Sequence, residues 1–110
     1  MAIFEDVDIS NFDKIRNEEF GKNNIVILKF GAEMCDACYA LEGELEDLEE
    51  ENENISVLII DCNESADLAE AYDIARVPTM IIFKDKNTPI YRCEDVMLSQ
   101  DIQKLIEEVC

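Results

Sequence analysis

A chain of 110 residues with 27 acidic and 9 basic side chains, formal charge −18, is expected to form one domain over 1–110, and its charge excludes nucleic acid and anionic membrane surfaces as partners. Apolar residues make up 48% of the chain and fall in periodic blocks, so the charge does not mean disorder; it reads as solubility, with a basic patch on a protein partner as the sharper alternative. The absence of histidine removes Cys-His and Ser-His dyads and any zinc site that needs imidazole.

Ile3-Phe4, with Val7, reads as a short first strand. Ser10 followed by Asp13 reads as the N-cap of a helix from about Asn11 to Glu19, with a stripe of Phe12, Ile15 and Phe20 that ends at Gly21-Lys22-Asn23-Asn24. Ile25 to Phe30 is a buried strand by length and β-branching, breaking at Gly31 and delivering two cysteines to a helix start. The spacing of Cys35 and Cys38 lets their sulfurs close a small disulfide ring. The positive end of the helix dipole favours a thiolate at the first, which makes Cys35 the candidate nucleophile. Cys38, one turn on and facing inward, is the candidate resolving thiol. The same spacing also serves metal sites, so context has to decide.

From Cys35 a helix is expected to about Asn52, with Leu41, Leu45 and Leu48 on one face. Glu44 to Glu53 is mostly acidic and reads as a solvated face, and like charges such as Glu42 and Glu46 cost it some stability. Ile55 to Ile60 is a second buried strand. Ser65 is expected to cap a short helix with Leu68, Ala69 and Tyr72 inward, completing a β-α-β-α pattern that implies parallel pairing. After Pro78, Thr79 to Phe83 is a strand, Lys84 to Thr88 a turn, and Pro89 to Cys93 an antiparallel partner at the sheet edge, where a proline is tolerated. Ser99 is expected to cap a last helix with Ile102, Leu105, Ile106 and Val109 as its apolar stripe.

No segment approaches a bilayer span and no basic-then-apolar leader is visible. With an odd count of five irregularly spaced cysteines, this leads to an expectation of a cytoplasmic protein. Cys62 and Cys93 read as free, structural thiols. Cys110 reads as exposed and prone to an adventitious intermolecular disulfide. A zinc or iron-sulfur site is disfavoured, because the other cysteines form no second CxxC.

Three features taken together, an apolar strand, CxxC opening the next helix, and Arg76-Val77-Pro78-Thr79 before another apolar strand, resemble the thioredoxin family over essentially the whole chain. The resemblance implies an α/β thioredoxin fold, a mixed central β-sheet flanked by helices in the order β-α-β-α-β-α-β-β-α. It also implies a surface disulfide or dithiol at Cys35 and Cys38 faced by a cis Val77-Pro78 peptide, with Met34, Val77, Pro78 and Thr79 as the substrate-contact surface. By that resemblance the activity is reduction of protein disulfides. A separate disulfide reductase donates the electrons, and the chain needs no cofactor and no metal and acts as a monomer. The other class of reading is a binding module that presents Met34, Val77 and Thr79 to one partner, its cysteines a redox-sensitive or metal-binding accessory.

The chain departs from the family pattern at several positions. Met34 and Gly31 stand where typical members have tryptophans, and Gly43 stands for a helix-kinking proline. Asp36-Ala37 replaces Gly-Pro between the cysteines. A carboxylate beside Cys35 opposes its thiolate, so Asp36 is expected to tune the pair toward a reductant. Lys29 occupies the place of the family's buried aspartate, and Ile59 that of the lysine paired with it. As a redox-tuning residue Lys29 is either a desolvated base or thiolate stabiliser for Cys38; the favoured alternative buries its stem and carries its ammonium to a nearby carboxylate.

Overall fold

Strand β2, Ile25–Gly31, is buried at every residue and forms the centre of the molecule. The computed structural model describes residues 3–109. Around β2 the order is β1 (Ile3–Phe4), α1 (Phe12–Gly21), β2, α2 (Asp36–Glu50), β3 (Ile55–Asp61), α3 (Ala66–Ala71), β4 (Thr79–Asp85), β5 (Thr88–Cys93) and α4 (Ser99–Val109). The five strands form one sheet in the order β1-β3-β2-β4-β5. β3 runs parallel to both β1 and β2, whereas β4 is antiparallel to β2 and to β5. The sheet is therefore mixed and flanked by helices, as expected.

Alternation along the central strands supplies two cores. Ile25 and Ile27 of β2 join Ile55, Val57, Met80 and Ile82 under Leu41, Leu45 and Leu48 of α2 and Ile102 and Ile106 of α4. On the other face, Val26, Leu28 and Phe30 join Leu58, Ile60 and Ile81 under Phe12 of α1 and Leu68 of α3. Each such aliphatic side chain contributes about 1.5–3 kcal/mol on full burial. A sheet covered on both faces explains why β2 and β3 read as continuous apolar runs.

The helix starts differ from the expected serine caps. The N-cap of α1 is Asn11, without a side-chain cap bond, its Oδ1 accepting the Asp8 N–H at 2.8 Å, while Ser10 turns both its N–H and its hydroxyl to the Asp8 carboxylate. Ser65 is the N-cap residue of α3, as expected, but its buried side chain makes no cap bond; its N–H donates to the Asp61 carbonyl at 2.8 Å. Ser99 is the first helical residue of α4, and its N–H donates to Glu44 Oε1 at 2.8 Å. The α4 terminus thus takes its anion from a neighbouring helix, and the helix dipole favours that charge. The β4–β5 turn is also tighter than expected. Pairing continues to Asp85 and Thr88, with irregular register around Phe83. Val109 is exposed, outside the core.

Candidate active site

Gly31 ends β2, and the chain turns through Ala32-Glu33-Met34 to reach the first cysteine. Cys35 is the N-cap of α2, with extended backbone, and its sulfur accepts the Cys38 N–H at 3.2 Å. The two sulfurs form a disulfide, with Cα atoms 5.2 Å apart. Their surroundings differ: Cys38 is fully buried, while Cys35 is partly exposed. Only one sulfur of the pair is therefore open to a partner molecule.

Met34 is 95% exposed and holds a positive φ of 55°, a region disfavoured for a side chain other than glycine's. Its N–H donates to the Tyr39 hydroxyl at 3.3 Å, so the first turn of α2 braces the loop that precedes it. Asp36 is exposed in that same turn. The pairing of Phe30 with Thr79 brings the residues before β4 alongside the end of β2, and the Val77-Pro78 peptide there is cis. Val77 is partly exposed. Pro78 and Thr79 are buried, and the Thr79 hydroxyl donates to the Arg76 carbonyl at 2.6 Å. Of the expected contact surface, Met34 and Val77 are thus open. Thr79, buried as the first residue of β4, closes the loop from inside through that bond.

Lys29 is 2% exposed, on the α2/α4 side of the sheet, and its Nζ lies 2.8 Å from Glu42 Oε2 of α2. Gly31 makes this possible. A Cβ there would collide with the Lys29 ammonium and would stand 3.1 Å from Lys29 Cε and 3.4 Å from Cys38 Cβ. Two departures from the family pattern, at 29 and 31, are therefore one arrangement. The sequence shows Glu42 only as a like-charge neighbour of Glu46 and not as the partner of Lys29, although its spacing of four from Cys38 places it on the same helix face. Tyr39, four after Cys35, escaped the sequence reading.

A cleft of about 260 Å³ opens beside this pair, lined among others by Lys29, Gly31, Tyr39, Glu42 and Asp61. At its rim the carboxylates of Glu33, Asp61 and Glu64 lie within 4.8 Å of one another; among the described residues no such grouping includes a cysteine. Cys62 and Cys93 are free thiols, each partly buried. Burial pushes the Cys62 thiol up, Asp61 adds to the rise, and Lys29 opposes it. Cys110 lies outside the described residues.

The family model for thioredoxin matches residues 4–108. The chain belongs to the thioredoxin family. A thioredoxin of Chlamydia pneumoniae is 33% identical over 81 residues, covering 74% of this chain and 74% of its own length. That of Mycoplasma pneumoniae is 30% identical over 91 residues, covering 83% and 88%. Among solved structures, chloroplastic thioredoxin z superimposes with a TM-score of 0.83 at 25% identity, over 99% of this chain and 96% of that one. Membership fixes the general chemistry as thiol-disulfide oxidoreduction at the CxxC pair. No described helix is long and apolar enough to cross a membrane.

Proposed function

We propose that this thioredoxin-family chain is a protein-disulfide reductase with Cys35 as nucleophile and Cys38 as resolving thiol. The observation that carries the reading is the asymmetry of the pair, a partly exposed sulfur at a helix N-cap bonded to a fully buried one. In the reduced protein the Cys35 thiolate attacks one sulfur of a target disulfide. The target's S–S bond breaks and a mixed disulfide forms. Cys38, as thiolate, then attacks the Cys35 sulfur; the second target thiolate leaves and the Cys35–Cys38 bond forms. Two electrons have moved to the target, and a separate disulfide reductase returns them. Neither step uses a cofactor.

Asp36 supports the direction of flow. An exposed carboxylate next to Cys35 opposes the helix dipole and disfavours the thiolate, which favours the disulfide state and makes the dithiol a reductant. Met34 and Val77 offer the apolar contact beside Cys35, and the strongly negative chain works as a monomer in the cytoplasm. The test is an equilibrium titration of the Cys35–Cys38 pair against a thiol couple, with Cys35→Ser and Cys38→Ser as controls. A two-electron transition near or below about −270 mV, with catalytic turnover of a protein disulfide, is expected. A potential in the oxidising range, or a partner held without turnover, would refute the reductase reading, and the second result would favour the binding module.

A further inference from the structure

Lys29 is a buried charge that neither step above uses. Its ammonium and Cys38 Cβ border the same space over Gly31, and the ammonium lies 2.8 Å from the Glu42 carboxylate. Lys29 Cε and Cys38 Cβ lie 3.1 and 3.4 Å from a single point there, so the two atoms are no further apart than those distances end to end. Glu42 is the more open partner, its side chain 25% exposed against 3% for Lys29, and it borders the cleft that leads to solvent. The charge acts on sulfur at this end of the sheet, since Lys29 also bears on the Cys62 thiol.

We propose that Lys29 and Glu42 are positioning residues for the resolving step: the buried ammonium holds the Cys38 sulfur in a positive potential, and Glu42 fixes that ammonium while offsetting its charge. The inference rests on the assignment of Cys38 as the resolving thiol. For that step Cys38 first gives its proton to solvent, and its thiolate displaces the substrate sulfur from Cys35. A thiol packed in an apolar core resists ionisation. A fixed positive charge within a few ångströms counters that resistance, and in a partly buried setting the effect is about one to two pH units.

Other ionisable groups face the same space. Tyr39 comes from the first turn of α2, Asp61 from the end of β3 and Cys62 from just beyond it, and Glu33 from the loop before Cys35. Glu5, Asp6 and Glu64 stand further out on the cleft wall. All of these carboxylates push the Cys38 thiol toward its neutral form, which leaves Lys29 as the opposing charge. The two members of the pair therefore have opposite expected effects. Lys29→Met removes the positive charge and raises the pH at which Cys38 ionises. Glu42→Gln keeps an oxygen for the ammonium, removes the negative charge and lowers that pH.

The experiment uses the full chain with Cys62, Cys93 and Cys110 replaced by serine, reduced and mixed with a chromogenic nitrothiobenzoate disulfide. Attack by Cys35 releases one thiolate; resolution by Cys38 releases the second. The rate of the second release against pH is expected to move up by about one to two pH units in Lys29→Met, a loss of about tenfold or more near neutrality, and down in Glu42→Gln. Midpoints unchanged in both, or moved the same way, would overturn the proposal, since a merely structural pair lowers stability without separating the signs. Should Lys29→Met fail to fold, Glu42→Gln decides: a downward shift supports the pair and anything else overturns it. A parent protein that releases only one equivalent refutes the resolving role of Cys38 itself, whereas two equivalents with unmoved midpoints refute this inference alone.

Discussion

Glu19 ends the inner face of α1 as a carboxylate only 3% exposed, and replacing it with glutamine tests whether three converging donors hold it in the charged form. Ser56 Oγ donates to Oε1 at 2.6 Å inside the sheet, Asn24 Nδ2 donates to the same oxygen at 3.3 Å, and Lys22 Nζ lies 2.8 Å from Oε2. The buried serine bond to a charged acceptor is worth about 1.5–3 kcal/mol. The Lys22 side chain is 64% exposed, so after screening its pairing adds about 0–1 kcal/mol. Glu19→Gln keeps an oxygen for Ser56, loses the charge assistance and turns an amide N–H toward the ammonium. The expected cost is about 1–2 kcal/mol, a fall in Tm of roughly 5–10 °C for a domain of this size. The pH dependence has a definite sign. Burial alone would raise the Glu19 carboxyl; the bonds from Lys22 and Ser56, the Lys22 charge and the Asn24 bond outweigh it and hold the carboxyl below the ordinary value of 4.5. A depressed folded value gives stability that is present above the unfolded value and disappears as pH falls through the folded one. Denaturant unfolding of both proteins across pH should therefore give a constant gap near neutrality that closes below about pH 4.5. No gap at neutral pH, or a gap that persists unchanged into strong acid, would refute the reasoning.

Gly31→Ala should destabilise the protein by about 1–3 kcal/mol by pushing the Lys29 ammonium off Glu42, and the same change in a Lys29→Met background should cost much less; equal costs in a double-mutant cycle would show that the close approach at 31 is not what the glycine serves. Cys62, whose thiol is raised chiefly by burial and further by Asp61, should remain unmodified at neutral pH while Cys35 of the reduced protein is alkylated; mass spectrometry of the labelled peptides reads this directly, and equal labelling would contradict it.

Periodicity carried most of the fold. The three leucines of α2 and the alternation of β2 and β3 were legible because one covered face repeats every turn or every second residue. The spacing of Cys35 and Cys38 already allowed their disulfide, whereas the cis peptide came through a family pattern that spacing alone would not have supplied. What stayed hidden depended partly on contacts distant in sequence and partly on competition among near neighbours. Ser10 has a suitable residue type for a cap, but the Asp8 carboxylate takes its hydroxyl; Ser65 stands at the cap of α3 without a cap bond and Ser99 lies inside α4, and no local rule orders these outcomes. Glu19 had a local signal: it falls seven after Phe12 and four after Ile15, on the stripe itself, so its charge marked a buried polar site. For Lys29, burial could be foreseen from its neighbours in an apolar strand, yet the identity of its partner required knowing how α2 lies across the sheet.

The two rims of the sheet have consequences for crowding. A strand with unpaired amides invites another chain to extend it. At one rim, Pro89 removes an N–H from β5 and the irregular register at Phe83 bends the ribbon. At the other, among the described residues β1 pairs with β3 at Val57 and Leu58, and the stretch beyond, Ile59 to Asp61, opens into a space bordered by Glu5, Asp6 and Glu64. An incoming strand would meet a missing donor on one side and carboxylates on the other, so concentrated solutions of the folded chain are expected to resist edge-to-edge assembly at neutral pH.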